Sequence, residues 1–202
     1  QILGCDAAAR HMILHSPFPG DNLGLFISDQ ISTYYRQRDQ TVPQVSRAIS
    51  ALVEQRTGNY LLYFPSYEYM RKIYHSFSDR NPQIKTILQT YGMSEPDREA
   101  FLKRFSDDNP QTLVGFAVMG GIFGEGIDLI GDRLVGAAIV GVGLPGISLE
   151  RELIKEYFTH TYNAGFEYAY QYPGINRVFQ AAGRVIRTEN DRGVVLLIDQ
   201  RY

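Results

Sequence analysis

The 202-residue sequence predicts an α/β domain of three layers, with a mainly parallel central sheet flanked by helices. Two observations lead there. Apolar runs of strand length alternate with amphipathic stretches of helix length along the chain. The runs are continuously apolar rather than alternating, as in parallel strands covered on both faces.

The elements follow in order. "LGLFIS" reads as a first strand near Leu25–Ile27, after the Pro/Gly punctuation of "SPFPGDN". In "VPQVSRAISALVEQRTG", Ile49, Leu52 and Val53 fall at helical spacing and Gly58 is a plausible stop. "YLLYF" (60–64) is a continuous strand, "PS" a tight turn, and Ser66 an N-cap for a helix over about 67–77. "IKTILQT" (84–90) is a short strand. "SEPDREAFLKRF" carries a Ser N-cap at 94, acids in its first turn and bases in its last, as the helix dipole prefers. "TLVGFAVMGG" (112–121) and "LVGAAIVGVGLP" (134–145) are buried strands ending in glycines. "LERELIKEYFTHTYNAGFEYAYQYPG" reads as amphipathic helix, "INRVFQAAGRVIRT" as a further helix, and "GVVLLID" (193–199) as a last central strand.

Bulk properties narrow the function. At 44% apolar residues a sizeable core can form. A formal net charge of −2 gives no bulk support for nucleic-acid binding, which would need a local patch. The single cysteine, Cys5, excludes an internal disulfide or a site of several thiolates and points to a reducing compartment. No apolar run reaches membrane-span length, and the N-terminus lacks a signal pattern. The chain begins without Met, as a piece of a longer protein would.

The informative stretch is "QAAGRVIRTENDRG" (180–193). On a helix, Gln180, Arg184 and Arg187 fall at i, i+4 and i+7, on one face. Two guanidiniums side by side call for an anion, and Arg is suited to forked recognition of phosphate. Gly183 removes a Cβ where something must come close. In parallel sheets ligands bind beyond the carboxyl ends of the strands. After 112–119 comes "GGIFGEGIDLIGDRL", with Gly120, Gly121, Gly124 and Gly126 in seven residues, a loop whose N–H groups can approach phosphate. Glu125 and Asp128 stand in it as acceptors, and Asp128 suits either a ribose hydroxyl or a later Arg. The first turn of the Ser66-capped helix is a further anion site. A GxxxxGK[ST] loop and a strand ending in paired acids for Mg²⁺ are both missing, so the sequence carries the arginine half of a nucleotide site without the other half.

Here the residues resemble a known family. "GNYLLYFPSYEYM" resembles motif IV (about 58–70) of the XPD/DinG-like superfamily-two DNA helicases, "GGIFGEGIDLIGDRL" their motif V (about 118–133), and "QAAGRVIRTENDRG" their motif VI (about 176–193). "LHSPFP", "YQYPGINRVFQAAGRVIR" and "DRGVVLLIDQRY" are similar to the DinG branch, so the likeness covers about residues 12–202. A lone GRxxR is weak; three motifs in order, each placed after a strand, are strong.

The resemblance implies that residues 1–202 are the second RecA-like lobe, a P-loop NTPase-like lobe without a P-loop, from an ATP-dependent DNA helicase moving 5′ to 3′. It implies that Arg187 is the arginine finger, Arg184 a second phosphate contact, and Gln180 a cleft residue coupling nucleotide to lobe closure. Asp128, Glu125, Gly126 and Gly183 would lie at the nucleotide, and Ser66, Tyr67, Gly120 and Gly121 along single-stranded DNA. ATP and Mg²⁺ would be held mainly by an absent N-terminal lobe, the chain's own partner, which in this family usually also carries an iron–sulfur domain. A monomer without membrane contact, in a bacterial-type cytoplasm near the nucleoid and serving DNA repair, fits the family. The isolated lobe is expected to be inactive.

Other readings stand beside this one. The arginines could form a solvated face or pair with Glu189 and Asp191. Tyr34, Tyr35, Tyr67, Tyr69 and the cluster at 168–172 could stack on bases, although such tyrosines more often pack half-buried. Arg36, Arg38, Arg71, Lys72 and Arg177 could make the local basic track. His11, His15, His75 and His160 lack ligand spacing. The competing functions are a stand-alone RecA-like module that binds nucleic acid or a partner without hydrolysis, and an unrelated phosphate-binding α/β enzyme.

Overall fold

A computed structural model describes residue 12 and residues 16–123 and 127–202. Six strands form one all-parallel sheet in the order β1-β6-β5-β2-β4-β3. They are β1 (Leu23–Ser28), β2 (Asn59–Phe64), β3 (Lys85–Leu88), β4 (Leu113–Val118), β5 (Gly136–Val140) and β6 (Gly193–Ile198). The helices are α1 (Arg38–Val53), α2 (Tyr67–Arg80), α3 (Glu95–Lys103), α4 (Leu149–Tyr162) and α5 (Tyr172–Ala182).

The central strands are apolar throughout because both their faces are covered. On β2, Tyr60, Leu62 and Phe64 point to one face, where Ile49 of α1 and Met70, Ile73 and Phe77 of α2 meet them. Leu61 and Tyr63 point to the other face, toward Phe101 of α3 and Val178 and Ala181 of α5. This is the two-residue period of a strand applied to a three-layer domain. Local chemistry marks the helix starts. Ser66 accepts from Tyr69 N–H at 3.3 Å, and Ser94 with Asp97 makes a reciprocal capping box.

Three sequence expectations need correction. The strand at 23–28 is not covered on both faces: Leu25, Phe26 and Ile27 are each more than half exposed. It is an edge strand, and a continuous apolar run does not reveal how many neighbours a strand has. The stretch 149–174 is not one helix. It breaks at Asn163, whose φ of 52° is the left-handed end of α4, and resumes through a π-helical turn at Glu167–Gln171. The helix of residues 175–188 stops early, at Ala182. Among the described residues, no helix is long and apolar enough to cross a membrane.

Candidate functional site

Gly183 caps α5 with φ −66°, and its N–H bonds the Phe179 carbonyl at 2.8 Å. The next two amides bond three residues back, Arg184 to Ala181 and Val185 to Ala182, so the chain tightens and leaves the helix. Gln180, Arg184 and Arg187 therefore do not share a helical face. Gln180 is exposed on the last turn of α5, whereas the arginines stand in the loop that enters β6. The expectation failed because Val185 and Ile186 keep a helix-like burial spacing while tertiary packing, not a helical ladder, buries them. Gly183 also relieves crowding within its own helix. A Cβ there would lie 3.1 Å from the Phe179 carbonyl of its own helix.

The two arginines still converge. Arg184 donates from Nη1 to the Ile127 carbonyl at 3.1 Å, and Arg187 donates from Nη2 to the same oxygen at 3.0 Å. Arg187 also reaches Asp128 Oδ1 from Nε and Nη2, at 3.2 and 3.1 Å. Of the two roles open to Asp128, accepting from an arginine is the one seen. Asp191 does not pair with either guanidinium. It is 5% exposed and accepts the Arg187 N–H at 2.6 Å, the Thr188 N–H and hydroxyl at 2.8 Å each, and the Gly131 N–H at 3.2 Å. Burial by itself would raise this carboxyl's pKa, but the hydrogen bonds outweigh it and hold the pKa below the usual carboxylate range. Tyr63 closes the inner wall with its hydroxyl on the Phe123 carbonyl; burial pushes its pKa up against the opposing pull of both arginines.

A second group of residues lies at the carboxyl edge of the sheet. Ser66 and Tyr67 follow β2, Gly120 and Gly121 follow β4, and these two strands are neighbours. Gln89, 1% exposed at the end of β3, joins the pairs: it accepts the Val118 N–H at 2.7 Å and donates to the Tyr67 hydroxyl at 2.8 Å. Gly120 needs its glycine, with φ +72° and the Arg177 guanidinium 3.2 Å from where a Cβ would stand. Ser66 also lines a cleft of about 230 Å³ with Tyr35, Arg36, Arg38 and Tyr69. Lys72 in this cleft is paired with Asp39 and Glu68. Arg38 donates to the Thr33 carbonyl, and burial lowers its pKa.

The same edge holds an ion pair that sequence reasoning passed over. Asp199, fully buried after β6, accepts the Arg201 guanidinium at 2.6 and 2.7 Å and the Thr33 hydroxyl. Arg201 lies over the Tyr34 ring at 4.4 Å. The D-x-R spacing in "DQRY" was the available signal, but Thr33 is far from it in sequence. Glu125 and Gly126, expected near the nucleotide, and Cys5, His11 and His15 lie outside the described residues. Among the described residues, no group of three or more His, Cys, Asp or Glu comes together to hold a metal ion.

An all-parallel sheet covered by helices on both faces, with arginines on the loop that enters β6, gives the class: a RecA-like lobe. A solved structure of apo XPD superposes with a TM-score of 0.72, covering 89% of this chain and 36% of that one at 22% identity. Xpd4 of S. tokodaii gives 0.65, covering 90% and 35% at 18% identity. These likenesses carry the fold. Residues 49–202 match the family of helicase C-terminal domains, and the chain belongs to that family, in its XPD/DinG-like branch. A probable ATP-dependent helicase of Methanocaldococcus jannaschii is 28% identical over 209 residues, 96% of this chain and 31% of that protein. The ATP-dependent DNA helicase DinG of Photobacterium profundum is 28% identical over 199 residues, 96% of this chain and 28% of that protein. The chain spans less than a third of the length of these curated relatives.

Proposed function

We propose that this domain is the second motor lobe of a longer ATP-dependent DNA helicase that moves 5′ to 3′. Its role is to bring Arg187, as arginine finger, and Arg184 to ATP whose phosphates and Mg²⁺ are held mainly by the chain's own N-terminal lobe. Any iron–sulfur cluster belongs to that other part. The observation that carries the reading is the convergence of both guanidiniums on the Ile127 carbonyl and Asp128. Two like charges are kept side by side on one loop, and Arg187 rests on a carbonyl and a largely exposed carboxylate that a phosphate can displace.

Phosphoryl transfer spreads negative charge over the γ-phosphate oxygens, and an arginine supplied from a second lobe neutralises it. Hydrolysis then depends on lobe closure, with Gln180 on the last turn of α5 coupling the two. Single-stranded DNA runs over the carboxyl edge, past Ser66, Tyr67, Gly120 and Gly121. Tyr34 and Tyr35 offer ring faces for bases, and Arg36 and Arg177 offer charge. The lobe works as a monomer.

The test is ATP hydrolysis by the full-length protein, with and without single-stranded DNA, for wild type and Arg187→Ala. DNA should stimulate the wild type. The variant, still folded, should lose about 10³-fold or more in turnover. Normal turnover by the variant would mean that these arginines hold another anion and that the finger lies elsewhere.

A further inference from the structure

The Asp191 carboxylate is nearly inaccessible, and its four donors come from two loops far apart in sequence. One loop carries Arg187 and Thr188; the other begins at Gly131, three residues beyond Asp128. The bonds to Arg187 and Thr188 fix the backbone from which the finger projects. The bond to Gly131 fixes the strand-entry turn that follows Ile127 and Asp128, the groups on which the finger rests. We infer that Asp191 is the positioning residue for Arg187: it sets the finger's origin relative to the motif V loop, so that both loops move as one piece when the lobes close. This inference rests on the reading of Arg187 as arginine finger.

The chemistry of the site makes the carboxylate specific. Oδ2 takes two backbone N–H groups, and Oδ1 takes a hydroxyl and a third N–H. Four donors meet an acceptor-only group. An asparagine has the same shape but must turn an NH₂ toward one of these pairs, leaving donor against donor. The finger's origin is then free to shift. A displacement of about 1 Å in a positioned group costs on the order of 10²-fold in rate.

The experiment uses DNA-stimulated ATP hydrolysis by the full-length protein, with Arg187→Ala, Asp191→Asn and the double variant. Asp191→Asn should lower kcat by about 10- to 100-fold with little change in KM for ATP. The double variant should be no slower than Arg187→Ala alone, because Asp191 acts only through the finger. Thr188→Val, which keeps the shape but removes one donor, should lower kcat several-fold, and Thr188→Ser should restore it. This pair decides the matter should Asp191→Asn fail to fold. Wild-type kcat in Asp191→Asn, or a double variant slower than Arg187→Ala by the full Asp191→Asn factor, overturns the proposal. Normal turnover by Arg187→Ala overturns the finger reading beneath it instead, so the two failures are distinct.

Discussion

Arg187 rests on Asp128 through two donors to a single carboxylate oxygen, Nε at 3.2 Å and Nη2 at 3.1 Å. The arginine side chain is 31% exposed and the carboxylate 63%. The pair is thus a soft latch, one that water and salt weaken, and under the proposed function Arg187 leaves it to reach a phosphate.

An exposed pair of this kind contributes about 1 kcal/mol or less. Asp128→Asn should therefore shift the melting temperature of the lobe by no more than about 4 °C. With the latch gone, Arg187 is freer, and ATP hydrolysis by the full-length protein without DNA should rise, by up to about fivefold. A fall in turnover would mean that Asp128 contacts the nucleotide itself, as a ribose acceptor would.

The observed role of Ser66 and its proposed one can be separated. As N-cap of α2 it contributes about 1 kcal/mol, and Asp caps as well as Ser does. Ser66→Ala should lower the melting temperature by about 2–4 °C, whereas Ser66→Asp should hold it. On the proposed DNA path the order reverses. The added carboxylate faces phosphate, so Ser66→Asp should weaken binding of a single-stranded oligonucleotide by about tenfold or more, measured by fluorescence anisotropy on the full-length protein. Unchanged affinity would move the DNA path away from the start of α2.

Asp199 is a stability element with a predictable pH dependence. Burial by itself would raise its carboxyl's pKa, but hydrogen bonds from Arg201 and Thr33 and the charge of Arg201 outweigh it, and the folded pKa is lowered. The contribution is therefore complete above the unfolded carboxyl's value of about 3.9, and is lost as pH falls through the folded value. Asp199→Ala leaves the half-buried Arg201 guanidinium without its carboxylate, at a cost of about 3 kcal/mol. At neutral pH this should appear as a drop of about 6–12 °C in melting temperature. Asp199→Asn should flatten the loss of stability that wild type shows as pH falls below about 4. An unchanged acid profile would place the acid-sensitive group elsewhere.

Local chemistry was legible in the sequence. β2, β4 and β5 announce themselves as apolar runs because strands covered on both faces have no polar side to alternate with. Ser66 and Ser94 announce helix starts because a cap bonds an amide three residues ahead. Arg184 and Arg187 stood out because paired guanidiniums require an acceptor. The order of the three motifs was enough to name the family, which the match over residues 49–202 establishes.

The tertiary structure decided what lies between distant segments. The sequence spacing of 180–187 fits a helix, yet the chain leaves the helix at Gly183 because Val185 and Ile186 are drawn into the core. Which acceptor the arginines find, Ile127 and Asp128, depends on a contact across about sixty residues. So does the bond from Gly131 to Asp191. Gln89 and Thr33 were silent for the same reason: each is polar and unremarkable in its own neighbourhood, and gains its meaning from a partner brought by sheet order. Periodicity and capping are short-range quantities that a chain carries with it. The pairing of a buried carboxylate with donors from two loops exists only once the parallel crossovers have set those loops side by side.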